Sequence, residues 1–422
     1  MLWIYRLLFP LVCVVLAPFW LIKMIRRGGW GSGLIERIGV YDRPVETEDK
    51  NGVYIHAVSV GEVLLAIRLI KRWQELHPNE IFVLAPTTAT GMAVARTSAP
   101  AEVRIIYAPL DFAFLIQRLL DRFSPRVIIL IESELWPNLL SVADAANIPV
   151  GIANARLSPR SEHRLDKFQP FIDRFLSTLK KVGVPEPGDI DRWANLGVPR
   201  RAIMVTRNLK FDTPGTSLPR KRAHFAEILE RYNPKGLPVA LAASTFSGEE
   251  PLLARAFAKA GCFPLIVPRH AERRAEVLHA LDSDGQVRPI LRSVMPDLQP
   301  TKKEKPLALV VDTTGELRDW TAHADVVVIG KSLLPKGAKG GQNPGEAIAA
   351  GVPVIAGPYM KNFEPLITEL ENSDALLRAQ GEAALIAAVK EALAKSDDLT
   401  TKAKAVLASH QGALDRTIAL FA

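Results

Sequence analysis

Cysteine is nearly missing from this chain. Two residues in 422, Cys13 in an apolar run and Cys262 in Ala260-Gly261-Cys262-Phe263, are too few and too separated for a disulfide framework or a cysteine metal site. Both read as small buried hydrophobes. An internal repeat, a nucleic-acid motif and an interleaved basic-aromatic stripe are also lacking. The net charge of +8 is therefore not assigned to a nucleic-acid partner, since outside the first residues Lys and Arg are mixed with comparable numbers of Asp and Glu. No Asp-x-Asp pair or histidine cluster stands in the expected inter-domain cleft, so no metal site is expected there. With 48% hydrophobic and 23% charged residues the chain is neither disordered nor a multi-span membrane protein. Its length fits two domains and a linker.

Charge is also missing from residues 7–22, which are rich in Leu, Val, Phe and Trp and are followed at once by Lys23, Arg26 and Arg27. Roughly 20 apolar residues cross a bilayer, so Leu2 to Tyr5 and a snorkelling Arg6 would have to contribute. A cleavable signal would carry its charge before the apolar core and small residues at its end. Here the charges come after, and Trp20 and Ile22 are bulky. Residues 1–27 are therefore expected to be a membrane anchor, with the rest of the chain in the cytoplasm by the positive-inside rule. The basic excess suits anionic headgroups and phosphorylated lipid.

From Gly52 onward short apolar runs alternate with amphipathic ones. Strands are expected at 53–57, 81–85, 103–107, 127–131 and 150–154, with helical periods such as 64–76 and 112–123 between them. Alternation of this kind implies parallel βαβ units. A segment rich in proline and glycine, 213–236, interrupts the pattern and reads as a linker with a short helix at about 224–232. The pattern restarts with strands at 239–243, 264–267, 308–311, 326–330 and 352–356, and helices near 249–260, 272–281 and 344–350. An exposed loop is expected at 293–306 and a last helical stretch at 399–421. The expected fold class is α/β, two doubly wound Rossmann-like domains facing a cleft, with an N-terminal membrane anchor. Its domains are 28–212 and 237–396, followed by a C-terminal helix in 397–422.

Chemistry in such sheets sits at strand carboxyl ends. Ser59-Val60-Gly61-Glu62 follows an expected strand and opens a helix, so Glu62 could serve as a base, or Ser59 and Glu62 could only cap that helix. Glu132 and Glu134 follow the most apolar strand, where a carboxylate costs desolvation unless paired. Lys210, in Asn208-Leu209-Lys210-Phe211-Asp212, closes the first domain. In the second half, Ser244 to Glu250 offers a turn and helix start for a phosphate, and Arg269 in Pro268-Arg269-His270 offers a planar fork. Gly315-Glu316-Leu317 reads as a further helix start. A glycine-rich loop, 330–343, opens onto Pro344-Gly345-Glu346, and Asn343 and Glu346 stand at capping-box spacing.

Taken together, His56 to Glu62, Glu132-Ser133-Glu134-Leu135-Trp136-Pro137-Asn138, Asn154-Ala155-Arg156-Leu157-Ser158, Asn208 to Asp212, Pro268-Arg269-His270 and Gly315-Glu316-Leu317 resemble, in content and order, the 3-deoxy-D-manno-octulosonic acid (Kdo) transferases. The resemblance covers nearly the whole chain. It implies a GT-B arrangement of an inverting glycosyltransferase, with acceptor and catalytic base in the N-terminal domain and nucleotide sugar mainly in the C-terminal domain. It further implies transfer of Kdo from CMP-Kdo to a lipid A precursor (lipid IVA) in lipopolysaccharide core biosynthesis, at the bacterial inner membrane, without a metal or other cofactor. Glu62 takes the role of proton acceptor, and Glu132 and Lys210 that of transition-state stabilisers. Pro268, Arg269, His270, Gly315, Glu316, Leu317, Asn343, Pro344, Gly345 and Glu346 fall to the nucleotide sugar, with Glu346 suited to ribose hydroxyls. Departures from the family pattern are Lys331 for Gly, Gln342 for His, Gly345-Glu346-Ala347 for Leu-Glu-Pro, and Arg207 where Gly commonly stands. The competing readings are a uridine-nucleotide glycosyltransferase acting on a lipid-linked acceptor, a nucleotide-sugar epimerase, and a non-catalytic membrane-tethered protein.

Overall fold

The computed structural model describes residues 2–26, 32–41, 50–157, 159–212, 219–295, 305–335 and 340–422. Arg27, Ser158, most of the loop expected at 293–306, the first linker residues 213–218 and the middle of the glycine-rich loop, 336–339, lie outside them. Two compact units divide the chain: Met1–Pro214 with Gln411–Ala422, and Gly215–His410.

The first unit is built on a seven-stranded, all-parallel sheet: β1 Val53–Ala57, β2 Phe82–Pro86, β3 Arg104–Ile105, β4 Val127–Ile131, β5 Val150–Ala153, β6 Lys181–Val184 and β7 Ile203–Val205, in the order 3-2-1-4-5-6-7. β1 and β4 are buried on both faces, as strands must be when helices cover both sides of a parallel sheet. Alternate residues divide between the layers. Tyr54, Ile128 and Leu130 meet the Ala113–Phe123 and Pro137–Ala145 helices in one core, whereas Val53, Ile55, Ile129 and Ile131 meet the Val60–Leu76 helix in the other.

The second sheet has β8 Val239–Thr245, β9 Phe263–Pro268, β10 Arg288–Leu291, β11 Leu307–Val310, β12 Val326–Ile329, β13 Val354–Ala356 and β14 Leu377–Arg378, again all parallel, in the order 10-11-9-8-12-13-14. β6, β7, β10 and β14 are additions to the strands expected from sequence. Three are sheet edges, where short and half-exposed strands give little apolar signal, and β10 carries Pro289, tolerated because an edge needs no inner ladder bond. β6 is only four residues long and is interrupted by Gly183.

The single last helix expected at 399–421 is two helices. Ser396–His410 belongs to the second unit and Ala413–Phe421 to the first, with Gly412 between them in the left-handed region at φ 74°. Asp212 accepts from the Gly412 and Leu414 amides, tying down the start of the last helix. Leu414, Ile418 and Phe421 then complete the core around Val53, Ile55, Leu69 and Trp73. Phe421 lies so close to Gly151 that a Cβ there would come within 2.5 Å of its ring.

The first helix, Leu2–Arg26, is tied to the first unit as well as being apolar. Tyr5 donates to Asp111 Oδ2 at 2.9 Å, Arg6 Nε donates to Asn138 Oδ1 at 2.9 Å, and the Phe9 ring lies 5.2 Å from that of Phe112. The first domain therefore does not begin after the apolar segment, as the boundary at residue 28 supposed.

Because the last helix closes the first unit, Phe421→Ala should cost that unit about 3–5 kcal/mol, the usual range for a buried Phe. Calorimetry should show the unfolding transition of the first unit lowered and that of the second unmoved.

Candidate active site

In the first sheet the chain runs outward from β1 to β3 and then returns to place β4 on the other side of β1. The two strands on either side of such a switch send their following loops apart and leave an opening between them. Glu62 comes from the first turn of the helix that follows β1, and Glu132 and Glu134 from the loop after β4.

Glu62 is only 8% exposed. Its Oε2 accepts from the Val58 amide at 2.8 Å, its Oε1 accepts from the Ser59 hydroxyl at 2.6 Å, and its own amide donates to Ser59 Oγ at 3.3 Å. This is a capping box, so the helix-start reading is true of the geometry. It does not exhaust the carboxylate, because each oxygen keeps a lone pair beyond the bond it accepts. Burial raises the pKa of Glu62; the two hydrogen bonds oppose that, and the nearby charge of Glu132 adds to it.

Glu132 follows β4 with φ 64°, an uncommon left-handed position for a residue with a Cβ. Its amide stays in the sheet through a bond to Ala153 O, and its Oε1 lies 2.6 Å from Lys210 Nζ. Lys210 reaches it from the segment after β7, which is held by two asparagines: Asn154 Oδ1 accepts from the Leu209 amide at 3.1 Å and Asn208 Oδ1 from the Lys210 amide at 3.0 Å. Glu62, Glu132 and Lys210, chosen from three separate motifs, thus converge. Glu134, left out of that set, belongs beside them. Burial first, and then the charges of Glu62 and Glu132, push its pKa up to about 7. The signal was present as the second carboxylate of Glu-x-Glu after the most apolar strand. Beneath them His56 packs at 5.6 Å from Trp136, contacts Thr87 Oγ1 at 3.2 Å, and is held neutral by burial, its pKa lowered to about 4.

The second unit has its own switch, between β8 and β12. The turn after Ser244 was expected to offer amides to a phosphate, and here the structure differs. Fully buried Glu249 accepts from the amides of Phe246 (2.9 Å), Lys331 (2.7 Å), Ser332 (3.0 Å) and Leu333 (3.0 Å), so a protein carboxylate takes the Phe246 amide of that turn and ties it to the loop after β12. A second group lies at the ends of β9, β11 and β12. Glu346 is partly buried, which raises its pKa, while the cations of Arg318 and Arg269 pull it back. Pro268 ends β9, Arg269 and His270 are exposed, and Gly315 at φ 84° turns the chain into Leu317–Thr321. The Glu316 carboxylate is engaged by Trp320 Nε1 at 3.0 Å and Arg292 Nε at 3.3 Å, a structural use of that side chain. Asn343 and Glu346 do not form the capping box their spacing allows. Asn343 Oδ1 instead accepts from the Gly345 amide at 2.9 Å, holding Pro344-Gly345 at the start of the Gly345–Ala350 helix. Lys331 and Arg207, two departures from the family pattern, both have positive φ, 57° and 69°. Their backbone keeps the shape that favours glycine.

Glu134 gives a pH dependence of known sign. A carboxyl with its folded pKa raised costs stability once pH passes the unfolded value, and the cost grows until the folded value, about 7, is reached. Glu134→Gln should therefore stabilise the first unit at pH 8 but not at pH 4. Conversely, removing the Glu62 charge by Glu62→Gln should let Glu134 ionise at lower pH, as read by carbon NMR of its carboxyl group. An unchanged Glu134 titration would separate the two side chains.

Comparison with known proteins identifies the family. A family model described as 3-deoxy-D-manno-octulosonic-acid transferase matches residues 32–213, the span that carries Glu62, Glu132 and Lys210. The 3-deoxy-D-manno-octulosonic acid transferase of Haemophilus influenzae is 31% identical, over 92% of this chain and 90% of that protein. The one from Bordetella pertussis is 30% identical, over 96% and 95%. Among solved structures, a glycosyltransferase from Rickettsia africae superposes with a TM-score of 0.55 at 14% identity, over 88% of this chain and 96% of that one. A UDP-GlcNAc 2-epimerase from Neisseria meningitidis gives a TM-score of 0.50 at 12% identity, over 86% and 95%. These two share the GT-B-like fold and do not separate transferase from epimerase; the two relatives near 30% identity do. The chain belongs to the 3-deoxy-D-manno-octulosonic acid transferase family of glycosyltransferases.

Proposed function

We propose that the chain transfers Kdo from CMP-Kdo to a hydroxyl of a lipid A precursor, with inversion and with Glu62 as the base. The observation that carries this reading is the convergence of Glu62, Glu132 and Lys210 at the β1/β4 switch point. In the reaction the acceptor oxygen bonds to the anomeric carbon as the bond from that carbon to the phosphate oxygen breaks. Glu62 takes the acceptor proton and CMP leaves with the electron pair. A base works best with its pKa brought toward the working pH, and burial moves Glu62 in that direction. Glu132, paired with Lys210, holds a negative charge suited to an oxocarbenium-like centre. The donor falls to the second unit. Asn343 and Glu346 are proposed for the cytidine ribose, and Arg269 with Arg318 for phosphate charge. With those fixed cations, turnover is proposed to need no metal. The place of action is the cytoplasmic face of the bacterial inner membrane, where the apolar first helix meets lipid.

Incubating the full chain with CMP-Kdo and a tetra-acylated lipid A precursor, with products weighed by mass spectrometry, tests the reading directly. Product from uridine-nucleotide sugars instead would replace it. Glu62→Gln should lower turnover by about 10²-fold or more while donor affinity stays near that of the unaltered protein. Activity within a few fold would return Glu62 to its capping role.

Lys210→Ala and Glu132→Ala should reduce kcat more than they raise KM, as expected of contacts made mainly in the transition state. Asn343→Ala and Glu346→Ala should instead weaken the donor more than the acceptor. Chelator should leave the rate unchanged, and loss of turnover restored by magnesium would assign the phosphate charge to an ion.

A further inference from the structure

The Leu2–Arg26 helix is fastened to the first unit at its amino-terminal end, and the chain just beyond it is fastened to the same loop. Tyr5 donates to Asp111 and Phe9 packs on Phe112. On the return, Glu36 Oε2 accepts from the Tyr107 amide at 2.7 Å, and Arg37 O accepts from the Leu110 amide at 3.0 Å. Consecutive residues Leu110 and Asp111 therefore grip both ends of the segment. From Phe9 to Arg26 the helix advances about 26 Å at 1.5 Å per residue.

A helix crossing about 30 Å of hydrocarbon would put Arg26 and Arg27 on the side opposite the domain. The chain would then have to come back through the bilayer carrying Arg27, Ser32 and Glu36 within a few residues, which its polarity does not permit. We infer that the first helix does not span the bilayer but lies in one leaflet, clamped by Tyr5–Asp111 and Arg6–Asn138 to the domain that carries Glu62. The occupant of its exposed apolar surface is a bilayer of anionic lipid. Leu7, Leu11, Val15 and Phe19 are exposed, and the first 35 residues contain basic but no acidic side chains. Asp111 also accepts from the Asn138 and Leu139 amides, at the start of the helix that follows Glu132 to Trp136. One clamp thus joins the lipid surface to the carboxylate-bearing loop and delivers a lipid acceptor from that same leaflet. This rests on reading the helix as lipid-facing.

The test uses the full-length chain with Cys13→Ala, so that buried Cys262 is the remaining natural thiol, and single variants Leu7→Cys, Leu11→Cys and Val15→Cys carrying a fluorophore. Each is bound to phosphatidylethanolamine–phosphatidylglycerol vesicles with lipids brominated at different chain depths. A level helix places all three labels at the same depth in one leaflet. A spanning helix separates the first and last by about 12 Å at 1.5 Å per residue, and that gradient would overturn the inference. Failure of the protein to float with the vesicles would overturn the lipid-facing reading itself, and the level helix with it.

Discussion

Parallel pairing of β1 with β4, strands that are not consecutive in the chain, is the constraint from which the first unit's candidate site follows. Register Val53 with Val127 through His56 with Leu130 aligns their carboxyl ends, so the loops that follow them leave the sheet side by side. Three carboxylates are delivered into one small region, and burial first, then a neighbouring carboxylate, raises the pKa of Glu62 and of Glu134. Such a cluster is costly unless charges are offset, and here a lysine from beyond β7 and the amide of Val58 do so. A site of this cost on an otherwise satisfied edge is a reason to look for chemistry there.

The second unit handles the same topology differently. At its switch point the nest of amides is filled by Glu249, and the arrangement of charges suited to a nucleotide lies one strand further along, around Glu346. The two units share a layout but differ in the charges they gather: three carboxylates and Lys210 in the first, and Glu346 with the cations of Arg318 and Arg269 in the second.

The ends of the chain both return to the first unit. The last helix crosses back from the second unit to complete a core, and the first helix is pinned beside Asp111. Both attachments stiffen the sheet that holds Glu62 and Glu132, one behind it and one next to the loop leading to Trp136. The apolar first segment is accordingly part of the fold it was expected only to tether.

Much of this was legible from residues alone. Buried parallel strands announce themselves as unbroken apolar runs, so Val127 to Ile131 and Val53 to Ala57 were found with their bounds, and carboxylates just beyond them marked the candidate site because the period of the chain changes there. Short edge strands such as β10 and β14 were not, since half-exposed segments carry no such pattern. Glu134 was legible as the second carboxylate of Glu-x-Glu, but its raised pKa was not, since that follows from burial and from the charge of Glu62, which is distant in sequence. Local order also cannot show which partner takes a hydrogen bond. Asn343 and Glu346 have capping-box spacing, but Asn343 turns to the Gly345 amide, and Glu249 takes the Phe246 amide of the turn expected to receive a phosphate. The sequence by itself determined the central strands, the main helices, the residue types at the candidate site and the apolar character of the first helix, because these follow from periodicity and composition. Which strands became neighbours, and therefore which carboxylates met and where Tyr5 docked, only the tertiary structure decided, because those contacts join residues 70 to more than 100 positions apart.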